Sequence, residues 1–98
     1  MRMTKQLKQH VIKQMTQYIA DVCANAAAEL ADGYTASAKM MAEDAALAQD
    51  ALAQFKKDSN WNNFYHTILY QDTLPREECL YYLLEGGRAV GLTLDRIC

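Results

Sequence analysis

This 98-residue protein has only two histidines and three cysteines, and their spacing matches no metal-site pattern. The two histidines, His10 and His66, lie far apart, and HxxxH, HExxH and CxxC are all absent. Zinc sites in proteins are usually built from such closely spaced ligands. We therefore expect neither a metal ion nor another cofactor. We expect His10 to be solvated and His66 to be a half-buried residue of a helix.

The three cysteines, Cys23, Cys79 and Cys98, offer no activated nucleophile. Cys79 follows Glu77 and Glu78, whose negative charges disfavour a thiolate. Because nucleophilic catalysis needs an activated group with a base in reach, the chain is not expected to be an enzyme. An odd number of cysteines without CxxC is typical of free thiols in a reducing compartment, which predicts a cytoplasmic protein. Cys23 falls on an apolar helix face and is expected in the core.

Two further patterns could suggest binding of phosphate or DNA. The segment Gly86–Gly91 lacks the GxGxxG and GxxxxGK[ST] patterns of phosphate-binding loops, so helix packing or a helix C-cap explains its glycines better. The helix–break–helix pattern over 60–90 resembles a helix-turn-helix. However, a recognition helix starting at Pro75 would carry Glu77 and Glu78 in its first turn, where DNA phosphates would repel them. A helical nucleic-acid-binding protein is thus a disfavoured alternative.

The elements that must position these residues are helices. Apolar residues recur at steps of three and four, which predicts an all-α fold with helices over 4–31 and 34–58. Thr4 is the predicted N-cap of the first helix, and Gly33 is predicted to end it in the left-handed conformation. The apolar stripe of the first helix comprises Leu7, Val11, Ile12, Met15, Tyr18, Ile19, Val22, Cys23, Ala26 and Leu30.

The second helix carries a heptad seam, and Thr35 or Ser37 is predicted to cap its start. The seam runs through Tyr34, Ala38, Met41, Ala45, Ala48, Leu52 and Phe55. Small residues beside the turn allow two helix backbones to approach closely, so residues 4–58 are predicted to form a long antiparallel helical hairpin. Its register would place Lys8 near Asp58. Two shorter helices, over 60–71 and 75–90, are predicted to follow, with Ser59 and Asn60 capping the first of them.

Composition and length bound the fold further. The chain has 51% hydrophobic residues and a formal net charge of −2, as expected of a single globular domain over 1–98. The sequence has no run of 18 apolar residues, so no membrane span is predicted. It has no apolar stretch near its start, so no signal peptide is predicted. Membrane binding through the first helix is disfavoured because its apolar stripe continues as a packing face. A hairpin about 40 Å long is too long for the remaining residues to cover, which predicts an elongated shape.

We therefore expect the protein to function by binding a partner through its surface and not by catalysis. Aromatic residues concentrate after residue 59, and Trp and Tyr are typical of protein interfaces. The competing explanation for most of these aromatic residues is that they form a core that closes the open end of the hairpin. The predicted partner-binding residues are Trp61, Tyr65, Tyr70, Pro75, Tyr81, Tyr82 and Arg88.

The leading hypothesis is a non-catalytic protein that binds a larger protein assembly and modulates or inhibits it by occupying a surface. The composition is typical of accessory proteins of mobile elements or phages, although no motif supports this impression. The alternative is a homodimeric structural subunit.

Overall fold

The fold is all-α, as predicted, in the part of the chain that the computed structural model describes, residues 4–69 and 82–83. Its helices are α1 (Lys5–Ala31), α2 (Thr35–Asp58) and α3 (Trp61–Leu69). The protein is elongated, with principal extents of 44 × 23 × 20 Å. α1 and α2 each begin one residue later than predicted, because the predicted ranges include the N-cap residues Thr4 and Tyr34.

The two ends of α1 follow the local signals in the sequence. Thr4 is the N-cap, and its Oγ1 accepts a hydrogen bond from the Leu7 amide at 3.1 Å. At the other end Gly33 has φ 88°, the left-handed conformation that glycine adopts most readily. The amides of Gly33 and Tyr34 donate to the carbonyls of Leu30 and Glu29, which is the Schellman arrangement. Both predictions, the Thr4 cap and the Gly33 stop, are confirmed.

The start of α2 differs from the prediction. Tyr34 is its N-cap and makes no side-chain capping bond, so the assignment of Thr35 or Ser37 as the cap is wrong. The reason lies in the short turn: the Tyr34 amide still caps α1 by bonding Glu29, while its carbonyl already accepts the Ala38 amide of α2. Thr35 is therefore the first residue of α2. It lies one position after the N-cap, so its hydroxyl does not serve as the cap of α2.

The junction between α2 and α3 is made by three polar residues. Ser59 adopts the left-handed conformation with φ 52° and donates its amide to the Phe55 carbonyl. Asp58 accepts the Asn60 amide at 2.8 Å, and the Asn60 side chain accepts the Asn63 amide at 3.1 Å. The prediction that Ser59 and Asn60 end one helix and cap the next is confirmed.

One apolar core joins the three helices. α1 buries a single stripe. α2 buries most of its seam, in which Ala48 is fully buried, whereas Met41 is only partly buried and Tyr34 is exposed. Trp61, Phe64 and Ile68 of α3 extend this core, together with Leu83. The remaining buried members are Leu7, Val11, Met15, Tyr18, Val22, Ala45, Ala51, Leu52 and Phe55.

The beginning of α1 lies beside the end of α2. The Lys8 ammonium donates to the Lys56 carbonyl at 3.0 Å and to the Ser59 hydroxyl at 2.6 Å. The charge of Lys8 also helps to lower the pKa of Asp58, after larger contributions from hydrogen bonds donated by Gln54 and Asn60. These contacts agree with the predicted proximity of Lys8 and Asp58.

Three residues of the predicted apolar stripes are exposed. Cys23 was expected in the core but is exposed, because it lies about 100° around α1 from the buried Val22. Leu30 and Tyr34 are 59% and 62% exposed, since they flank the turn, where no other described element covers them. Residues 70–71 of the third predicted helix and the predicted helix over 75–90, except 82–83, lie outside the described residues.

Candidate functional site

An aromatic cluster occupies the junction of α2 and α3. It consists of Phe55, Trp61, Phe64 and Tyr65, with neighbouring ring centroids 4.9 to 6.4 Å apart. Trp61 is 6% exposed, so its indole belongs to the core, whereas Tyr65 is half-buried. The structure thus brings two of the predicted partner-binding residues together, in a cluster that stabilises the fold. Their part in binding a partner stays a prediction.

A second contact fixes Tyr82 and Leu83 against α1. The Tyr82 ring packs edge-on against Tyr18 with centroids 5.4 Å apart, and its hydroxyl donates a hydrogen bond to Asp21. His10 Nε2 hydrogen-bonds the Leu83 carbonyl oxygen at 3.1 Å. Tyr82 is therefore half-buried on one flank of α1. The other predicted site residues, Tyr70, Pro75, Tyr81 and Arg88, lie outside the described residues.

The expected environments of the two histidines are reversed. His10, expected to be solvated, is half-buried and bonded to Leu83, while His66, expected to be half-buried, is exposed. His66 lies about 100° around α3 from the half-buried Tyr65, which turns it away from the core. The contact of His10 depends on a residue far along the chain, so no local pattern could have indicated it.

Large apolar side chains are exposed mainly around the turn. Tyr34 is 62% exposed, Met40 is 67% exposed and Leu30 is nearly as exposed, all within about two helical turns of Gly33. Leu47, at 39%, lies two turns further along α2, on the same side as Met40. We call Leu30, Tyr34 and Met40 the turn patch. Sequence reasoning missed Met40 and Leu47, although both fall outside the heptad seam and are separated by a full heptad, which places them on one outward face.

Charge is divided along the length of the molecule. We call residues 21–46 the turn half, and residues 4–20 with 47–69 the distal half. The turn half carries a single base, Lys39, and has a formal net charge of −4; its acids are Asp21, Glu29, Asp32, Glu43 and Asp44. The distal half has a formal net charge of +3; its bases are Lys5, Lys8, Lys13, Lys56 and Lys57, and its acids are Asp50 and Asp58. Over residues 4–69, the helices thus have opposite formal charges in their two halves.

A shallow groove of about 240 Å³ runs between the middle of α1 and the C-terminal half of α2. Its lining is Thr16, Ile19, Gln49, Leu52, Ala53 and Lys56. Ile19 is half-buried in the core and Ala53 is exposed. The described residues that line the groove include no histidine, cysteine or carboxylate, so this part of the lining is suited to packing and not to acid–base chemistry.

Neither metal ligation nor membrane spanning finds support in residues 4–69 and 82–83. No three histidine, cysteine or carboxylate side chains among them come together as ligands would. No helix in the same part of the chain has the length and hydropathy needed to cross a bilayer. No protein-family model, no curated protein and no solved structure matches this chain. The function is therefore argued from the surfaces described above.

Replacing Tyr82 with phenylalanine is expected to raise the pKa of Asp21. In the native protein that pKa lies below the ordinary value of 3.8, first because the Tyr82 hydroxyl donates to the carboxylate and second because the Gln17 amide does. A depressed folded-state pKa stabilises the protein above about pH 4, and this contribution disappears as the pH falls through the folded-state value. The variant should therefore lose less stability on acidification. Carboxyl ¹³C chemical shifts followed during an acid titration measure the change.

The matched control for this titration is Gln54→Ala. Gln54 donates to Asp58 at 2.9 Å, and this bond is the largest cause of the lowered pKa of Asp58. Gln54→Ala should raise the pKa of Asp58 and leave that of Asp21 unchanged. An Asp21 pKa that is the same in Tyr82→Phe and in the native protein would contradict the assigned hydrogen bond.

Proposed function

We propose that this protein is a non-catalytic helical protein that binds a larger protein assembly and modulates or inhibits it by occupying a surface. The observation that carries the proposal is the turn patch, where Leu30, Tyr34 and Met40 are each more than half exposed. Exposed apolar groups grouped at one end of a molecule are typical of interaction sites. A tyrosine at the tip adds the residue type that dominates many binding interfaces.

The proposal includes an antiparallel arrangement of α1 and α2. Two observations support it: the helices are joined by a three-residue turn at 32–34, and Lys8 near the start of α1 bonds Lys56 and Ser59 at the end of α2. In this arrangement the turn patch forms the narrow end of an elongated body. A narrow end with protruding apolar side chains is suited to insertion into a groove of a larger partner.

The chemistry of the partner follows from the charge of the turn half. With a formal net charge of −4 around the turn patch, a complementary site is an apolar groove with lysine and arginine side chains at its rim. Such complementarity accelerates encounter and sets orientation, while the buried apolar side chains supply most of the affinity. The residues Tyr65, Tyr70, Pro75, Tyr81, Tyr82 and Arg88 form a second, separately predicted contact. Trp61, being buried, would act by holding α3 in place.

We also propose that the protein acts in the cytoplasm. An odd number of cysteines and an exposed thiol at Cys23 favour a reducing compartment, where free thiols persist.

The test is affinity capture from the native cytosol, compared between the wild-type protein and Tyr34→Ser/Met40→Gln. Both side chains are mostly exposed, so the double variant should keep its stability within about 0.5–1 kcal/mol. Loss of two interface anchors should reduce the yield of the captured partner by about tenfold or more. The matched control is Lys57→Gln, an exposed residue of the distal half, which should capture the partner normally.

Two results bear on the proposal directly. A partner identified by mass spectrometry that is lost with the double variant and kept with the control supports docking through the turn patch. Equal yields of the same partner with a correctly folded double variant, checked by circular dichroism, would refute it.

A further inference from the structure

We infer that the groove between α1 and α2 binds an acidic amphipathic helix of a partner protein, with apolar side chains in the groove and carboxylates beside the surrounding lysines. This inference goes beyond the proposed function, because it concerns the flank of the helix pair and not the turn patch. The two surfaces also differ in the charge that they favour, since the turn patch is suited to a partner site with a basic rim. Binding at one surface does not require binding at the other.

The groove lies on the side of α1 that faces away from Tyr82 and Leu83. His10 of α1 hydrogen-bonds the Leu83 carbonyl oxygen. Asp21 of α1 accepts the hydrogen bond of the Tyr82 hydroxyl. On a helix with 100° per residue, His10 and Asp21 lie about 120–140° from Thr16, which lines the groove and is exposed. The groove side is therefore the opposite flank of α1, where a partner can approach.

The groove is suited to inserted side chains. Its volume of about 240 Å³ is below the roughly 300–1,000 Å³ of small-molecule pockets. On α2 its lining runs from Gln49 to Lys56, which is about 10 Å along the helix, or two turns. Its apolar lining residues are Ile19, Leu52 and Ala53. Apolar contacts over two turns between a pair of helices suit a third helix that presents apolar residues at i, i+3, i+4 and i+7.

Positive charge surrounds the groove. All six described lining residues lie in the distal half, whose formal net charge is +3. Lys56 lines the groove itself, and Lys57 lies one helical turn after Ala53 on the same side of α2. The Lys8 ammonium donates to the Lys56 carbonyl at 3.0 Å, which places a further positive charge at this end. Asp50, three residues before Ala53, offsets part of the charge. The complement of the groove is an apolar segment with negatively charged edges.

A protein helix fits this groove better than a nucleic acid does. Nucleic acids are bound through their phosphates and, in single strands, through stacking on exposed aromatic rings. Phe55, Trp61 and Phe64 of the aromatic cluster are at most 6% exposed, so these rings offer no stacking surface. A phosphate backbone would use the lysines and leave the apolar lining without a contact. An acidic amphipathic helix uses both.

The first experiment measures the binding of synthetic peptides to the purified protein by NMR. The probe is a peptide of about 15 residues, long enough to form a helix, with leucine along one face and glutamate elsewhere. It should shift the amide signals of Thr16, Ile19 and Ala53, and its affinity should fall as salt is added. Two control peptides should bind about tenfold more weakly or less. One has lysine in place of glutamate, and the other has the probe's composition without an apolar face.

The second experiment places a charge in the groove. Ala53→Glu introduces a carboxylate at an exposed groove position without removing a core side chain. It should raise the dissociation constant of the glutamate peptide about tenfold or more, since the charge would be buried beside like charges. The matched control is Ala24→Glu, an exposed alanine about 140° around α1 from Ile19. It changes the net charge of the protein equally and should leave the constant within about twofold.

A third variant separates the groove from the turn patch. Tyr34→Ser/Met40→Gln removes two exposed side chains beside the turn and leaves the groove lining unchanged. It should bind the glutamate peptide as tightly as the wild-type protein does. A loss of peptide binding in this folded variant would place the peptide on the turn patch and overturn the inference.

Several other outcomes would overturn it. Absence of binding at about 1 mM glutamate peptide, where even a weak complex forms, excludes the groove as a site for such a helix. Equal dissociation constants for Ala53→Glu and Ala24→Glu place the peptide elsewhere. Tighter binding of duplex DNA or of phosphatidylserine vesicles assigns the lysines to a phosphate surface. Self-association of the wild-type protein that both Ala53→Glu and the turn variant abolish makes a second copy the occupant. The capture experiment tests the turn patch separately from all of these.

Discussion

Replacing Phe55 with alanine is expected to lower the free energy of unfolding by about 3–5 kcal/mol, the usual cost of removing a buried phenylalanine ring. Phe55 is 1% exposed and lies at the junction of α2 and α3. Its ring contacts Phe64 with centroids 4.9 Å apart and Trp61 with centroids 6.4 Å apart. The Lys8 ammonium lies 6.0 Å from its centroid, so the contact between α1 and α2 is weakened as well.

This loss is large for a small domain, whose total stability is typically about 5–15 kcal/mol. Urea unfolding followed by circular dichroism measures it, and the emission of Trp61 should shift to the red in the folded variant as its contact with residue 55 is lost. Met40→Ala is the control, because Met40 is 67% exposed and its loss should cost less than about 0.5 kcal/mol. A cost below about 1 kcal/mol for Phe55→Ala would contradict the central position of this ring in the core.

Ala48→Asp is expected to be similarly damaging, at about 3–5 kcal/mol at neutral pH. Ala48 is fully buried in the seam between α1 and α2. An aspartate there would place an unpaired charge among apolar side chains, where desolvation favours the protonated form. Because its folded-state pKa would be raised, the variant should recover part of its lost stability, relative to the wild type, as the pH falls.

The matched control is Ala46→Asp, two residues away and exposed. It adds the same charge to the same helix without burying it, so its cost should stay within about 0.5–1 kcal/mol. Denaturant unfolding of both variants at neutral and acidic pH separates the two positions. Equal stabilities for the two variants would show that the seam is not closely packed at residue 48.

Local signals predicted much of the fold. The cap at Thr4, the stop at Gly33 and the capping by Asn60 depend on residue type and nearest neighbours, and these were read correctly from the sequence. The seam of α2 was identified from spacing alone, since a heptad repeat predicts a buried stripe on one side of a helix. The assigned caps at Thr35 and Ser37 were wrong because Tyr34 serves both helices, a consequence of the turn geometry that residue preferences do not contain.

The surfaces were harder to predict. Periodicity gives the direction of an apolar stripe but not its width, so Cys23 and Leu30 were assigned to the core although both are exposed. The hydrogen bond from Tyr82 to Asp21 joins residues 61 positions apart in the sequence. The hydrogen bond between His10 and Leu83 joins residues 73 positions apart. Contacts at such separations depend on the tertiary fold, for which the local sequence provides no periodic signal. The candidate docking surfaces therefore emerged from three-dimensional placement.

The spacing of these contacts along the chain also indicates an order of assembly. Lys8 and Ser59 are 51 positions apart, and His10 and Leu83 are 73 apart, whereas the contacts that form the turn span only a few residues. The entropic cost of closing a loop grows with its length, and chains rich in short-range contacts fold quickly. We expect nucleation at the glycine turn, propagation outward toward the lysine and serine, and attachment of Tyr82 and Leu83 last. During synthesis, the first two helices can thus pair before the residues that follow α3 have left the ribosome.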